Sequence, residues 1–469
     1  MIKKKDNSKD NSKYKKNIKY PLMAVLFALF FGIPMVNNLF LPLSMLFSLK
    51  AIRNAKKDPK EYGGVWIAII CIIFSIISYT KISVVIPCYN EEKNIAKCLD
   101  AVYSLDYPKE NIEVIVVDDG SPDSTIKTLE DYKKRNKNHA TGMIISRGKH
   151  EGKSASLNIG INKAHHEIIL TLDADTIVEK DSLRNLVRPF SDREVGATNG
   201  SFIPSNRNSL LGLFQNIEYS YYNLVKKSFS SVFRNGIWFF GAFTCYRKEA
   251  LKKIGYFKKD SMTEDMDATL EIYSKGYRLI NVFDAVGYTI VPSSIISFFR
   301  QRTRWWIGGL QAMKKNLKIL SVKSAAHPKI SPSIIFVFIN QYWWSIFSVL
   351  FFPLIIYQVF YWLPQNAGFF PIFAYLFRWF SLLGPVYVIY KIHEWGISLY
   401  SIFGVMSGIM SCVLLIISLL KSRARTSAYN LLMIMFGVFF YFPYTIILNT
   451  ITVISLIKLA FLKKKHFIY

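Results

Sequence analysis

Charge vanishes from long stretches near both ends of this 469-residue chain, and that distribution limits its fold more than any single motif does. Residues 21 to 49, 65 to 79, 333 to 361, 369 to 390, 396 to 420 and 428 to 457 are apolar. Most of these approach or exceed the ~20 residues that cross a bilayer as a helix. The middle of the chain, 81 to about 330, reads instead as a water-soluble α/β region. With 51% hydrophobic and 15% aromatic residues, a disordered or fibrous chain is excluded. The expected organisation is a basic cytoplasmic tail (1–20), an N-terminal membrane region of about two spans (21–80) and a soluble α/β domain (81–294). An interfacial amphipathic segment (295–330), a C-terminal membrane region of about four spans (331–460) and a second basic tail (461–469) complete it.

The positive-inside tendency places both termini and the soluble domain in the cytoplasm, since basic residues crowd the first 20 positions and Lys463, Lys464 and Lys465 close the chain. Under that topology two basic loops fall outside: 50 to 63, with Lys50, Arg53, Lys56, Lys57 and Lys60, and 421 to 426, with Lys421, Arg423 and Arg425. One stretch is therefore expected to be re-entrant or interfacial, the candidates being the short 65–79 and the 369–390 stretch that contains Arg378. The net charge of +27 sits largely at the termini, the loops and the interfacial segment. Anionic membrane lipid, not nucleic acid, is the expected partner of that charge. Five scattered cysteines without a C-x-x-C spacing suggest neither a disulfide framework nor a zinc site.

Within 81–294, SVVIPCYN (83–90), EVIVVDDG (113–120), GMIISRG (142–148) and EIILTLDADT (167–176) are β-branched runs ending in turn residues, with helical-period segments between. Such alternation implies a mostly parallel, Rossmann-like sheet with helices on both faces, and ligands at the carboxyl ends of the strands. The acidic motifs lie there. Pro87, Tyr89, Asn90 and Glu91 form a turn after the first strand, and Asp118 and Asp119 one after the second. A carboxylate there can accept from the N–H of a base beside a stacking ring, or simply cap a helix. Asp173 and Asp175, two apart in an extended segment, face the same way and suit Mg²⁺ or Mn²⁺ holding a diphosphate, though D-x-D also occurs in solvated turns. Thr263, Glu264, Asp265 and Asp267 open a helix that Thr263 is placed to cap; an ionised Asp265 could take the proton of an attacking sugar hydroxyl, and acids also suit a helix start. In FFRQRTRWWIGGLQAMKKN (298–316), Gln301, Arg304 and Trp305 share a helix face able to fork onto a diphosphate and stack on a sugar. The same helix reads equally as interfacial, with Trp306, Ile307 and Leu310 in lipid and Lys314, Lys315 and Lys318 at its phosphates.

With VVDDGS, LDADT, TEDMD and QRTRW in this order, the sequence resembles the processive family 2 glycosyltransferases, the group of cellulose, chitin, hyaluronan and poly-N-acetylglucosamine synthases. The likeness covers roughly 81 to 320 and the arrangement of spans around it. It implies a GT-A glycosyltransferase domain inserted between transmembrane helices of the plasma membrane. It also implies that Tyr89 and Asp119, with Pro87 and Glu91 beside them, hold the uracil of a UDP-sugar, with Lys153 near the diphosphate and Asp173 and Asp175 on the metal. Asp265 would be the general base with Glu264 beside it, Gln301 and Arg304 diphosphate contacts, and Trp305 with Phe240 and Gly241 of FFGAF the acceptor end. The bond formed would be β-linked with inversion, and the growing polysaccharide would leave through the enzyme's own spans. TEDMDATLEIYSKGYRLINV looks closest to the poly-N-acetylglucosamine synthases, so UDP-N-acetylglucosamine is the expected donor and UDP-glucose the next. A lipid-linked monosaccharide transferase shares the fold, the DDG turn and the D-x-D and has no need of Q-x-x-R-W, and a non-catalytic membrane scaffold that kept the fold would need none of these motifs.

Overall fold

The computed structural model describes residues 80–136, 143–239, 241–320, 331–350, 352–361, 363–381 and 437–461, with isolated positions between 386 and 435. The tails, the whole 21–79 region, nearly all of the 396–420 stretch and Phe240 lie outside the described residues, and so do the expectations placed on them.

The chain runs β1 (Ile82–Cys88), α1 (Ile95–Tyr103), β2 (Ile112–Asp118), α2 (Thr125–Arg135), β3 (Ile144–Arg147), α3 (Lys153–Lys163), β4 (Ile168–Leu172), β5 (Ile177–Val178) and α4 (Ser182–Val187). There follow β6 (Val195–Pro204), α5 (Leu210–Phe233), β7 (Phe243–Arg247), α6 (Lys248–Ile254), α7 (Glu264–Ser274), β8 (Arg278–Thr289) and α8 (Ile295–Lys315). The apolar helices α9 (Pro332–Leu350), α10 (Phe352–Tyr361), α11 (Phe369–Phe380) and α12 (Tyr441–Phe461) end it.

Eight strands form one sheet in the order β3-β2-β1-β4-β7-β6-β8-β5. The β-branched runs are buried on both faces, as a sheet covered by helices requires. Val84 and Ile86 of β1, Val114 and Val116 of β2, and Leu170 and Leu172 of β4 enter one core. Val85, Ile115, Val117 and Ile169, one residue out of step, enter the other, shared with α3, α6, α7 and α8. The sheet is mixed where the sequence suggested mostly parallel pairing: β7 runs antiparallel to both β4 and β6, and β5 antiparallel to β8. The reason is that β7 enters from the carboxyl edge. This places its preceding residues, Gly241 and Ala242, directly against the end of β4, where the Asp173 N–H donates to Ala242 O at 3.0 Å.

Among the described residues two helices are long and apolar enough to cross a bilayer, Pro332–Leu350 and Pro443–Phe461. α11, within the 369–390 stretch, has only 12 residues. α12 rests on α5 and α8 through a core of Leu213, Phe214, Ile217, Phe298, Tyr444 and Ile451, so this apolar helix is packed onto the α/β domain.

Candidate active site

Three separate pieces of chain meet at the carboxyl edge of β4. β4 delivers Asp173 and Asp175; the antiparallel entry of β7 brings Gly241; and α7 opens with Glu264 and Asp265. Gly241 N–H donates to Asp265 Oδ2 at 2.6 Å and Met266 N–H to Asp265 Oδ1 at 2.7 Å, fixing the carboxylate. A Cβ on residue 241 would lie 2.9 Å from Asp265 Cβ, so this approach demands glycine. A second close approach brings in α8: a Cβ on residue 308 would stand 2.6 Å from Thr263 Cγ2, and only glycine there lets the Q-x-x-R-W helix reach the start of α7. Further along, buried Asp267 accepts from Lys315 Nζ at 2.6 Å and Asn316 Nδ2 at 2.9 Å, tying α7 to the end of α8.

The result is a cavity of about 440 Å³ lined by Lys153, Asp173, Asp175, Gly241, Glu264, Asp265, Gln301, Arg304 and Trp305. The shared face expected of Gln301, Arg304 and Trp305 is turned into it, and Gln301 Oε1 is buried there without a hydrogen-bond partner. Thr263 sits at the N-cap position of α7, but its hydroxyl makes no capping bond and also lines the cavity.

The electrostatics are those of crowded acids. Burial, with Glu264 alongside, pushes Asp265 up to about 6 against the lowering effects of the Gly241 N–H and Lys153. Burial and then the neighbouring Asp173 push Asp175 up to about 7. Lys153 Nζ lies 2.5 Å from Asp173 Oδ1 and 3.6 Å from Glu264 Oε1. Although burial disfavours its charge, these carboxylates outweigh it and hold the ammonium above its ordinary value. Among the described residues no third Asp, Glu, His or Cys joins Asp173 and Asp175 as a ligand group. Two hard oxygen donors, one raised by burial and by the charge of the other, fit a hard divalent cation that takes its remaining ligands from phosphate and water.

Four expected nucleotide-binding residues stand outside this lining. Pro87 is buried in β1, paired with Val117 of β2. The Glu91 side chain accepts from Asn94 Nδ2 at 2.9 Å, and burial raises its pKa, with Asp173 contributing. The Asp119 carboxylate is turned to the loop before α3, accepting from Glu151 N–H at 3.1 Å, Gly152 N–H at 2.9 Å and Ser156 Oγ at 3.0 Å, with His150 Nδ1 at 3.2 Å. Tyr89 stacks on the His150 ring at 4.2 Å. One short loop therefore joins the two places, its His150 end on Tyr89 and Asp119 and its Lys153 end on Asp173.

The lipid-facing stripe expected on α8 is turned inward. Ile307 and Leu310 are buried, Trp306 lines the cavity, and Lys315 pairs with Asp267 and Glu271, because α7, α9 and α12 cover that side. Asn340 and Gln341 of α9 and Ile451 and Thr452 of α12 also line the cavity, a contribution the motif reading missed. The available signal was amides inside an apolar stretch, which are costly in a membrane unless they serve a site.

Residues 83–255 match the family described as Glycosyl transferase family 2. A poly-beta-1,6-N-acetyl-D-glucosamine synthase of Staphylococcus epidermidis is 33% identical over 238 residues, covering 50% of this chain and 56% of that protein. One from Staphylococcus aureus is 32% identical with the same coverage, 50% of this chain and 56% of that protein. The chain thus spans about half the length of the curated relatives it matches. Among solved structures, a mannosyltransferase from Pyrobaculum calidifontis in complex with GDP-Man and Mn²⁺ is 18% identical, with a TM-score of 0.49 over 94% of this chain and 99% of that one.

Proposed function

We propose, from the match of residues 83–255 to the family described as Glycosyl transferase family 2, that this chain is a membrane-embedded, processive, inverting β-glycosyltransferase with a GT-A α/β domain that extends a polysaccharide from a UDP-sugar. UDP-N-acetylglucosamine is the first choice of donor, supported by the names of relatives 32–33% identical. The observation that carries the reading is that Asp173, Asp175, Asp265, Gln301, Arg304 and Trp305 line one cavity, with Asn340 and Thr452 of the two long apolar helices on its wall.

In this reading Trp305 stacks on the terminal sugar of the acceptor and sets its hydroxyl toward Asp265. Asp265, fixed by the two backbone N–H groups, accepts the hydroxyl proton as that oxygen forms the new bond to the anomeric carbon. The bond from that carbon to the diphosphate breaks on the opposite side, which inverts the configuration, and the electron pair leaves on the diphosphate. The Arg304 guanidinium, the Gln301 amide and the Lys153 ammonium supply donors for that negative charge. Asp173 and Asp175 would hold Mg²⁺ or Mn²⁺, whose part is charge neutralisation of the diphosphate. Tyr89 and Asp119 are assigned to the nucleobase. The extended chain would leave along the cavity wall that α9 and α12 form, with the domain on the cytoplasmic side of the plasma membrane.

The test is incubation of membranes carrying the protein with labelled UDP-N-acetylglucosamine or UDP-glucose and Mg²⁺. A long labelled chain with β linkage is expected. A chloroform-soluble product carrying a single sugar refutes the reading in favour of a lipid-linked monosaccharide transferase.

A further inference from the structure

We propose that Arg302 is the positioning residue that holds the Trp305 indole in the cavity, and that Glu218 and Tyr444 hold Arg302, so that helix α12 sets the acceptor platform. The inference rests on the transferase reading and deepens it, since the Q-x-x-R-W motif leaves position 302 open.

The side chains of Arg302 and Glu218 are 6% and 4% exposed, and Arg302 Nη2 donates to Glu218 Oε2 at 2.6 Å. The Tyr444 hydroxyl donates to the same oxygen at 2.5 Å. α5, α8 and α12 each contribute one member, at the point where their apolar side chains share a core. The guanidinium carbon lies 4.3 Å from the centroid of the Trp305 ring, with the Phe298 ring at 5.0 Å on the same cation. Arg302, Glu218 and Trp305 all face the cavity. A buried ion pair adds little stability over well-packed apolar side chains of the same volume, but it fixes orientation. The guanidinium is planar, so anchoring it fixes the plane on which the indole stacks. Trp305 is then oriented by a guanidinium anchored on Glu218 of α5, whose carboxylate is held in turn by Tyr444 of the membrane-length helix α12.

Sugar incorporated into polymer per UDP released is the decisive readout, because a mispositioned acceptor leaves the donor open to water. Arg302→Met alone strands the Glu218 carboxylate and lowers the melting temperature. The double variant Arg302→Met with Glu218→Gln removes both charges while keeping an acceptor for Tyr444. We expect it to melt within a few degrees of the parent and to keep the donor KM within twofold. Its incorporation per UDP should fall at least fivefold, as it should in Trp305→Ala. A double variant with the parental ratio at any overall rate, or one that cannot be folded, overturns the proposal. A parent that releases no UDP from either UDP-sugar with Mg²⁺ or Mn²⁺ refutes instead the transferase reading beneath it.

Discussion

Gly241→Ala is the smallest change that tests whether Asp265 is the base. The added methyl would sit 2.9 Å from Asp265 Cβ and 3.3 Å from its Oδ2. Carbon atoms in contact settle at about 3.5–4.0 Å, so the carboxylate must retreat by roughly 0.6–1 Å. A displacement of ~1 Å at a reacting group costs on the order of 10²-fold in rate, which is ~2.7 kcal/mol on the barrier. The retreat also breaks the 2.6 Å bond from Gly241 N–H, one of the contacts that restrain the pKa of Asp265 near 6. Turnover should therefore fall about 100-fold, while the acid limb of its pH profile moves above 6. Donor affinity should be nearly unchanged, because the methyl faces Asp265 and not the Tyr89 and Asp119 end. The assay is initial UDP release from pH 5 to 9, with UDP affinity measured by calorimetry. Turnover within threefold of the parent and an unmoved acid limb would show that the carboxylate is not the base.

In the parent, turnover should fall about tenfold per pH unit below the Asp265 value of about 6, since the base must be ionised. The sign for folding is opposite: a raised carboxyl pKa contributes stability below 3.8 that is lost as pH rises through about 6. The melting advantage of Asp265→Asn over the parent should therefore be larger at pH 7.5 than at pH 5. Divalent-cation affinity should drop as pH falls below the Asp175 value of about 7, and calorimetry in buffers of different ionisation enthalpy should show proton release that Asp175→Asn abolishes. Arg304→Lys keeps the charge but loses the fork, so polymer synthesis should fall at least about tenfold; yield near the parental level contradicts the assigned contact. Lys315→Met leaves buried Asp267 with Asn316 alone and should cost about 1–3 kcal/mol of stability, measured by denaturant titration.

Strands β1, β2 and β4 were legible because buried runs of Val, Ile and Leu flanked by turns have few other places to go. Strand β6 was not: VGATNGSFIP is buried throughout, yet Gly196, Thr198, Asn199 and Gly200 give it a loop-like composition. Its strand state is imposed by neighbours, since a Cβ at residue 200 would stand 2.4 Å from the Phe243 ring of β7. The antiparallel direction of β7 leaves no trace in a period-two pattern, and with it went the placement of Gly241 beside Asp265. Placement was legible where geometry follows from spacing: Asp173 with Asp175 two apart after a strand, and Gln301, Arg304 and Trp305 on one helical face, all reach the cavity. Asp119 shows the reverse. An acid after a strand is visible in the sequence, but the backbone N–H groups that capture it come from Glu151 and Gly152.

The balance of charge inside the cavity distinguishes its acids by task. Glu218 is paired with Arg302 and accepts the Tyr444 hydroxyl on the same oxygen. Asp173, Asp175, Glu264 and Asp265 share one ammonium, Lys153, and burial first, then the neighbouring carboxylates, raise Asp175 and Asp265. Carboxylates held this way cost folding free energy, because burial and mutual repulsion oppose their charge. In the proposed reading each of the two raised groups is relieved by a different arrival, a cation at Asp175 beside Asp173 and a proton at Asp265, which two backbone N–H groups hold in place. A purely structural cluster would have paired these acids as Asp267 is paired by Lys315 and Asn316. One ammonium among four acids, beside two helices of membrane length, is the kind of charge excess that the proposed site would use to take up a cation and a proton.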